Sequence, residues 1–232
     1  PDMGLGGAWD SGYRYNQDTI RFFSHIHAWQ LSGVPVLPTT GKFKGHLGPH
    51  AYGSKYSHEN ESASAGYHSV ILEEYDIKAE LTSTTRVGFH RYTFPKSDQS
   101  NILLDLNTEL GPSGTDAGYV KKLSDTKIEG YALMEATRRR PKATPVYFSI
   151  EFDKPFKELR AWQNGNLLGK VKKFEGENGG VYLNFETAKD EVIQMKVGIS
   201  YVSTEQARLN IDTELPYWDF DRVVKESKDV WN

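Results

Sequence analysis

Apolar and polar positions alternate with a period of two through much of the second half of the chain. Between Glu191 and Val202 the positions Ile193, Met195, Val197, Ile199 and Tyr201 are apolar, and Gln194, Lys196, Gly198 and Ser200 lie between them. One face of such a segment is buried and the other wet, which predicts a half-buried strand. Val181, Leu183 and Phe185 repeat the pattern, as do Phe148, Ile150 and Phe152, and Ile77, Ala79 and Leu81. Asn164-Gly165 and Asn178-Gly179 accept positive φ, so a hairpin turn is predicted at each. From Thr85 to Phe94 the apolar phase shifts, with Val87 and Phe89 on one parity and Tyr92 and Phe94 on the other, and a bulge near His90 would accommodate it.

Strands are expected over 20–24, 34–38, 67–72, 77–82, 85–94, 101–106, 118–133, 147–152, 158–163, 168–175, 181–186 and 191–202. No long helical pattern interrupts them, so stacked antiparallel sheets are favoured over a parallel βαβ fold. The fold class is all-β with a helical end. A short helix is expected over 204–210, and from Phe220 the positions Val223, Val224, Ser227 and Trp231 share a helical face, with Asp219 as the cap. Such a stripe should be unusually apolar wherever it is left uncovered. The stretch from Gly41 to Gly66 is the longest candidate loop and the expected carrier of a binding edge.

Composition narrows the chemistry more than the fold. The 232 residues carry 28 basic and 31 acidic side chains, a formal net charge of -3, which removes the electrostatic footprint of a dedicated nucleic-acid binder. No cysteine is present, which excludes a disulfide framework, a thiolate zinc site and a cysteine nucleophile. No apolar run is long enough for a membrane span, and Pro1 is not a natural start, which leaves room for a signal peptide upstream. Aromatic residues make up 12% of the chain, a level that suits either sheet packing or sugar stacking.

The densest polar and aromatic cluster is Trp9-Asp10-Ser11-Gly12-Tyr13-Arg14-Tyr15, followed by Phe23-Ser24-His25-Ile26-His27. A pyranose offers an apolar C–H face to stack and hydroxyls to hydrogen-bond, so indole, carboxylate and imidazole together fit a sugar site. The alternation of Gly12, Tyr13, Arg14 and Tyr15 equally fits plain sheet packing. His25 and His27 would share one face of a strand at a spacing that can hold a metal, with His58 or Glu59 as a further ligand, but hydrogen-bonded histidines are the commoner use. Glu59 and Glu61 sit in the long loop as a possible acid/base pair or calcium cradle, or as solvated carboxylates. The run Arg138-Arg139-Arg140-Pro141-Lys142 reads as a solvated loop. There is no GxSxG, Walker loop, HExxH or dinucleotide turn, so no recognisable catalytic set stands in the chain.

The order of several segments is informative where each alone is weak. Trp9-Asp10-Ser11-Gly12-Tyr13, Phe23-Ser24-His25-Ile26-His27, Leu37-Pro38-Thr39-Thr40-Gly41, Tyr56-Ser57-His58-Glu59 to Glu61, Ala63-Ser64-Ala65-Gly66-Tyr67, and Ile77 to Thr82 through Arg86-Val87-Gly88-Phe89-His90-Arg91-Tyr92 follow one another. This succession resembles the amino-terminal domain of glycoside hydrolase family 92, the exo-acting α-mannosidases. The match is strong across roughly residues 1–106; the rest resembles the domain through strand pattern and the closing helix. The resemblance implies an inverting, calcium-dependent α-mannosidase, often specific for α-1,2 linkages. It implies an antiparallel β-supersandwich of galactose-mutarotase-like form with a short C-terminal helical linker, followed in the whole enzyme by an (α/α)6 domain. The division expected here is a β-sandwich over 1–203, lacking its usual opening strands, and a helical linker over 204–232.

In such enzymes the general acid, general base and calcium ligands come from the helical domain, so calcium is expected there and neither metal ligands nor catalytic residues are expected in this chain. The partners implied are a mannose-containing glycan and that (α/α)6 domain, with secretion or periplasmic export implied by resemblance. Trp9 and Asp10 match the family's aromatic-acid pair facing the shared pocket, and His25 and His27 match the Phe-Ser-His-x-His element beside it; Tyr13 completes the expected substrate-binding set. The sequence departs from common versions at Ala65, where a proline often stands, and at Ala28-Trp29-Gln30-Leu31 after His27. A free-standing carbohydrate-binding module and a structural docking domain are the alternative functions.

Overall fold

The computed structural model describes residues 1–3, 12–26, 33–108 and 114–231. Among these residues the strands form three antiparallel sheets. The largest runs, in spatial order, through β14 (Lys173–Gly176), β9 (Thr115–Lys122), β10 (Lys127–Met134), β11 (Thr144–Phe152), β16 (Glu191–Ser200), β7 (Val87–Phe94), β6 (Ile77–Ser83), β5 (Tyr67–Leu72) and β4 (Ser62–Ser64). The second runs through β13 (Asn166–Lys170), β12 (Glu158–Gln163), β15 (Gly179–Thr187), β8 (Ser97–Asp105) and β2 (Val36–Thr40). A short ribbon pairs β1 (Thr19–Ile20) with β3 (Ser54–Lys55).

The apolar half of the alternation read from the sequence packs these sheets, but the face of β16 expected to be wet is buried as well, with Lys196 2% exposed and the helix over 204–214 lying against Gly198. Ile193, Met195 and Val197 of β16 enter the same buried cluster as Val181, Leu183 and Phe185 of β15, so the two large sheets share one core. Asn164 and Gly165 take φ of 50° and 74° and close a two-residue turn with Gln163 opposite Asn166, the hairpin expected between β12 and β13. Asn178 also has positive φ, at 52°, but its turn makes no hairpin: it carries the chain from β14 in one sheet to β15 in the other. The strands expected over 118–133 and 168–175 are each two strands, the first divided by a turn in which Leu123 N–H reaches the carbonyl of Lys127.

The bulge expected near His90 is absent, because β7 is buried on both faces. His90, Tyr92 and Phe94 face the shared core, while Val87 and Phe89 lie under two helices, α2 (Thr204–Glu214) and α3 (Phe220–Trp231). Its pairing with β6 and β16 runs in unbroken register. The phase shift in sequence therefore records a second burying layer and no irregularity of the backbone.

That layer is fixed by caps and charges. The Ser203 hydroxyl accepts from Gln206 N–H at the start of α2, and Asp219 Oδ1 accepts from Arg222 N–H at the start of α3, the cap expected there. Lys196, on the helix-facing side of β16, donates to the carbonyl of Leu215 at 2.8 Å and sits 3.9 Å from the Trp218 ring, and burial lowers its pKa to about 8. Arg91 forks onto both oxygens of Glu80 and reaches Asp221 on α3. Phe220 and Val223 are buried, whereas Val230 and Trp231 at the far end of the stripe are 86% and 74% exposed.

The 41–66 stretch is not one loop: residues 41–52, with a one-turn helix α1 (Pro49–Tyr52), pack against the second sheet, while β3 and β4 pair in the ribbon and at the edge of the largest sheet. Phe43 stacks on Tyr182 at 3.7 Å, and the buried Tyr52 hydroxyl donates to Asp105.

Candidate functional site

Backbone pairing at the amino-terminal edge decides where the candidate segments leave the scaffold. Asp2 N–H bonds the carbonyl of Phe22 and Arg21 N–H bonds that of Asp2, so residues 2–3 lie along 21–24. Met3 N–H then meets the Gly12 carbonyl at 3.3 Å, bringing together the residues that flank 4–11. His25 N–H meets the Gly33 carbonyl at 3.3 Å and does the same for 27–32. The Asp2 carboxylate accepts from Ser24 N–H at 3.0 Å, so the two bases are stitched to each other. Trp9 and Asp10 fall in the first of these segments and His27 in the second; all three lie outside the described residues.

Beside these bases opens a cleft of about 440 Å³, lined by Ser24, His25, His68, Gly88 and His90 and by the hydroxyl-bearing segment 82–85. His25 lies at its floor with both ring nitrogens engaged. Nδ1 is 2.6 Å from the Val34 carbonyl, and Nε2 is 2.8 Å from Nε2 of His90, whose Nδ1 is 2.6 Å from the Tyr92 hydroxyl. A carbonyl only accepts, so His25 carries its proton on Nδ1 and presents a bare Nε2. His90 therefore donates from Nε2 and accepts the Tyr92 O–H at Nδ1. Every site in this relay is satisfied with both rings neutral. Burial agrees: it lowers the pKa of His25 to about 4 and that of His90 well below its usual value, the neighbouring His25 adding to the second.

Gly88 makes the relay possible. A Cβ there would stand 2.7 Å from Cδ2 of His25 and 3.4 Å from Nε2 of His90, so a side chain would displace the His25 ring.

Tyr13 belongs to a second, ionic cluster on the other side of His68. Its hydroxyl donates to Oε2 of Glu61 at 2.9 Å, and the same oxygen receives Nδ1 of His58 at 2.7 Å, while Oε1 receives Nε2 of His68 at 2.9 Å. Burial would raise the Glu61 pKa, but the donors from His68, His58 and Tyr13 outweigh it and leave it lowered. The His58 pKa is raised, first by Glu61 and then by the Tyr15 carbonyl, 2.7 Å from its Nε2. Burial lowers the pKa of His68 despite its bond to Glu61. The Tyr13 ring is 43% exposed and stands edge-on to the His68 ring at 6.5 Å.

The structure thus brings His25 to the cleft and sets Tyr13 against His68, which lines it. Sequence reading missed His90, Tyr92, His68 and Gly88. The available signal was local: His90 and Tyr92 alternate on one face of a strand, and Gly88 keeps the same parity one step before them.

Sandwiched antiparallel sheets with a helical cover define the class of fold, and similarity to known proteins supplies the family. Residues 1–200 match the glycosyl hydrolase family 92 N-terminal domain, and the chain belongs to that family. A family GH92 α-mannosidase of Bacteroides thetaiotaomicron superposes with a TM-score of 0.84 at 31% identity, over 95% of this chain and 32% of its own. A family GH92 inverting mannosidase of the same organism superposes with a TM-score of 0.83 at 19% identity, over 100% of this chain and 30% of its own, a likeness of fold alone. An uncharacterized secreted glycosidase of Arthroderma benhamiae is 22% identical over 95% of this chain and 32% of its length. The chain thus spans about a third of the length of the relatives it matches.

Proposed function

We propose that this chain is the substrate-framing part of an exported, calcium-dependent, inverting exo-α-mannosidase acting on α-1,2-linked mannose. Under this reading residues 1–203 form the β-domain, and 204–232 both cover its sheet and lead toward an (α/α)6 domain that supplies acid, base and calcium. The observation that carries it is the stitched pair of loop bases beside the cleft. The Asp2 carboxylate and Ser24 N–H join the residues that flank the segment carrying Trp9 and Asp10 to those that flank the segment carrying His27, and under this reading both segments face the sugar.

Calcium does not fit the residues described. Among them no group of three or more His, Asp or Glu side chains could hold a metal, and the carboxylates of Asp2 and Glu61 are engaged with Ser24, Tyr13, His58 and His68. The role left to this chain is to bind and orient sugar and to exclude water. His25, with both nitrogens committed, shapes the floor of the cleft and moves no proton.

The test uses the full-length protein and α-1,2-mannobiose. Mannose release that stops on calcium chelation is expected, and Trp9→Ala should lower kcat/KM by about tenfold to several hundredfold, since a stacked aromatic is worth about 1 to 3 kcal/mol of transition-state binding. Melting temperature should change little. A core tryptophan would instead cost about 3 to 5 kcal/mol of folding free energy, with unchanged kinetics in the folded fraction, and that outcome would overturn the assignment.

A further inference from the structure

The Glu61 cluster does more than satisfy one carboxylate. It ties the segment 13–17 to 56–68 at four points: the Tyr13 hydroxyl on Glu61, the Tyr15 carbonyl on His58, the Tyr15 ring stacked on the His58 ring at 4.1 Å, and the Gln17 carbonyl on the Tyr56 hydroxyl at 3.0 Å. The Glu61 side chain is only 8% exposed. Tyr13 keeps a ring open to solvent while its hydroxyl is anchored, which leaves it free to turn toward nothing else. An exposed aromatic held at one end beside a polar cleft is a preorganised stacking surface, and preorganisation saves the ordering cost when a ligand arrives.

We propose that Glu61 is a positioning residue for glycan binding: with His58 it locks Tyr13 against His68 as a stacking face for a sugar ring of the substrate. This rests on the proposed function, since the sugar is the one that function supplies.

The lock has a definite protonation state. The carboxylate of Glu61 and the carbonyl of Tyr15 both accept only, so His58 holds both bonds as an imidazolium. The groups facing it are Glu61, the rings of Tyr15 and Tyr56, the Tyr13 hydroxyl and, across Glu61, His68. Loss of the His58 proton sets a lone pair against an oxygen and frees one side of the segment. Substrate affinity should therefore weaken on the alkaline side, with the turning point above the usual range for histidine.

The experiment compares wild-type full-length protein with Glu61→Gln and Tyr13→Phe, using Glu80→Gln as a control for plain loss of an ion pair. Glu61→Gln should raise KM about three- to tenfold with kcat within about twofold, and should flatten the alkaline rise in KM. Tyr13→Phe should share part of that effect, so that the double variant loses less than the two single ones combined. Glu80→Gln should lower the melting temperature without touching the pH profile of KM. Hydrogen exchange of the peptide covering 12–18 is measured on the same proteins without substrate, and should rise in Glu61→Gln and Tyr13→Phe only. Unchanged exchange in that peptide, or an unaltered KM profile in an active Glu61→Gln enzyme, would overturn the positioning role. A wild-type protein that releases no mannose would overturn the proposed function, and with it the sugar at Tyr13, while raised exchange would still establish the lock.

Discussion

Two histidine clusters lie on either side of the same cleft and solve opposite problems. His25 and His90 are neutral, joined nitrogen to nitrogen, and closed at the ends by a carbonyl and a hydroxyl. His58 and His68 share the carboxylate of Glu61, and His58 is charged. Residue type does not set the charge; the supply of acceptors does. Where the ends of a buried chain offer one acceptor and one donor, neutral tautomers fill every site. Where a carboxylate and a carbonyl both demand a proton from one ring, the ring takes a second.

The largest break in this comparison is expected from His90→Leu. The substitution leaves the Tyr92 hydroxyl and Nε2 of His25 without partners, and each buried orphan costs about 1 to 3 kcal/mol, so a loss of about 2 to 6 kcal/mol should appear in chemical denaturation. Adding Tyr92→Phe should restore part of it by removing one orphan.

The pH dependence of stability should come next, and the two clusters should push it in opposite directions. The folded pKa of His25 is lowered to about 4 from an unfolded value near 6.5, so the unfolded chain binds the extra proton as pH falls between those values. Stability contributed by the neutral relay is full above about pH 6.5 and declines toward pH 4. The folded pKa of His58 is raised, so its contribution is full below the unfolded value and is lost as pH rises through the folded one. Thermal melts of wild type and of His58→Gln from acid to mildly alkaline pH separate the two: the variant should lose only the alkaline decline. A variant curve that loses the acid decline instead would reverse the assignment of charge.

Tyr92→Phe alone should be the smallest effect, about 1 kcal/mol, because it removes one donor from His90 Nδ1 and adds no volume. A neutral result there would mean that the relay ends at His90.

Much of the scaffold was legible because alternation reports burial directly. The parity of Ile193, Met195 and Val197 and the turn at Asn164-Gly165 needed nothing beyond their own neighbours. The misread places are those where a distant element decides. β7 looked bulged because α2 and α3, far along the chain, bury its outer face, and Asn178-Gly179 looked like a hairpin because sequence does not say that the flanking strands enter different sheets. The candidate site divides in the same way. His25 and Tyr13 stood out by composition, whereas His90 meets His25 across sixty-five residues, and His68 joins Tyr13 only through the Glu61 carboxylate they share. Glu61 drew attention as one of a pair with Glu59, yet its partners are histidines and a tyrosine, and three-dimensional proximity alone selects them.

The double burial of β7 also has a temporal side. Its partner β16 aligns Glu191 with Phe94, and the helices that cover Val87 and Phe89 follow β16 in the chain. A chain made from its amino end thus completes β6 and β7 long before it makes their pairing strand or their cover, and closing so long a loop is slow. Until Phe220 and Val223 arrive, a sticky apolar strip stands open on the nascent sheet. A nick or pause ahead of α2 and α3 is therefore expected to leave Val87 and Phe89 uncovered and the chain prone to aggregate.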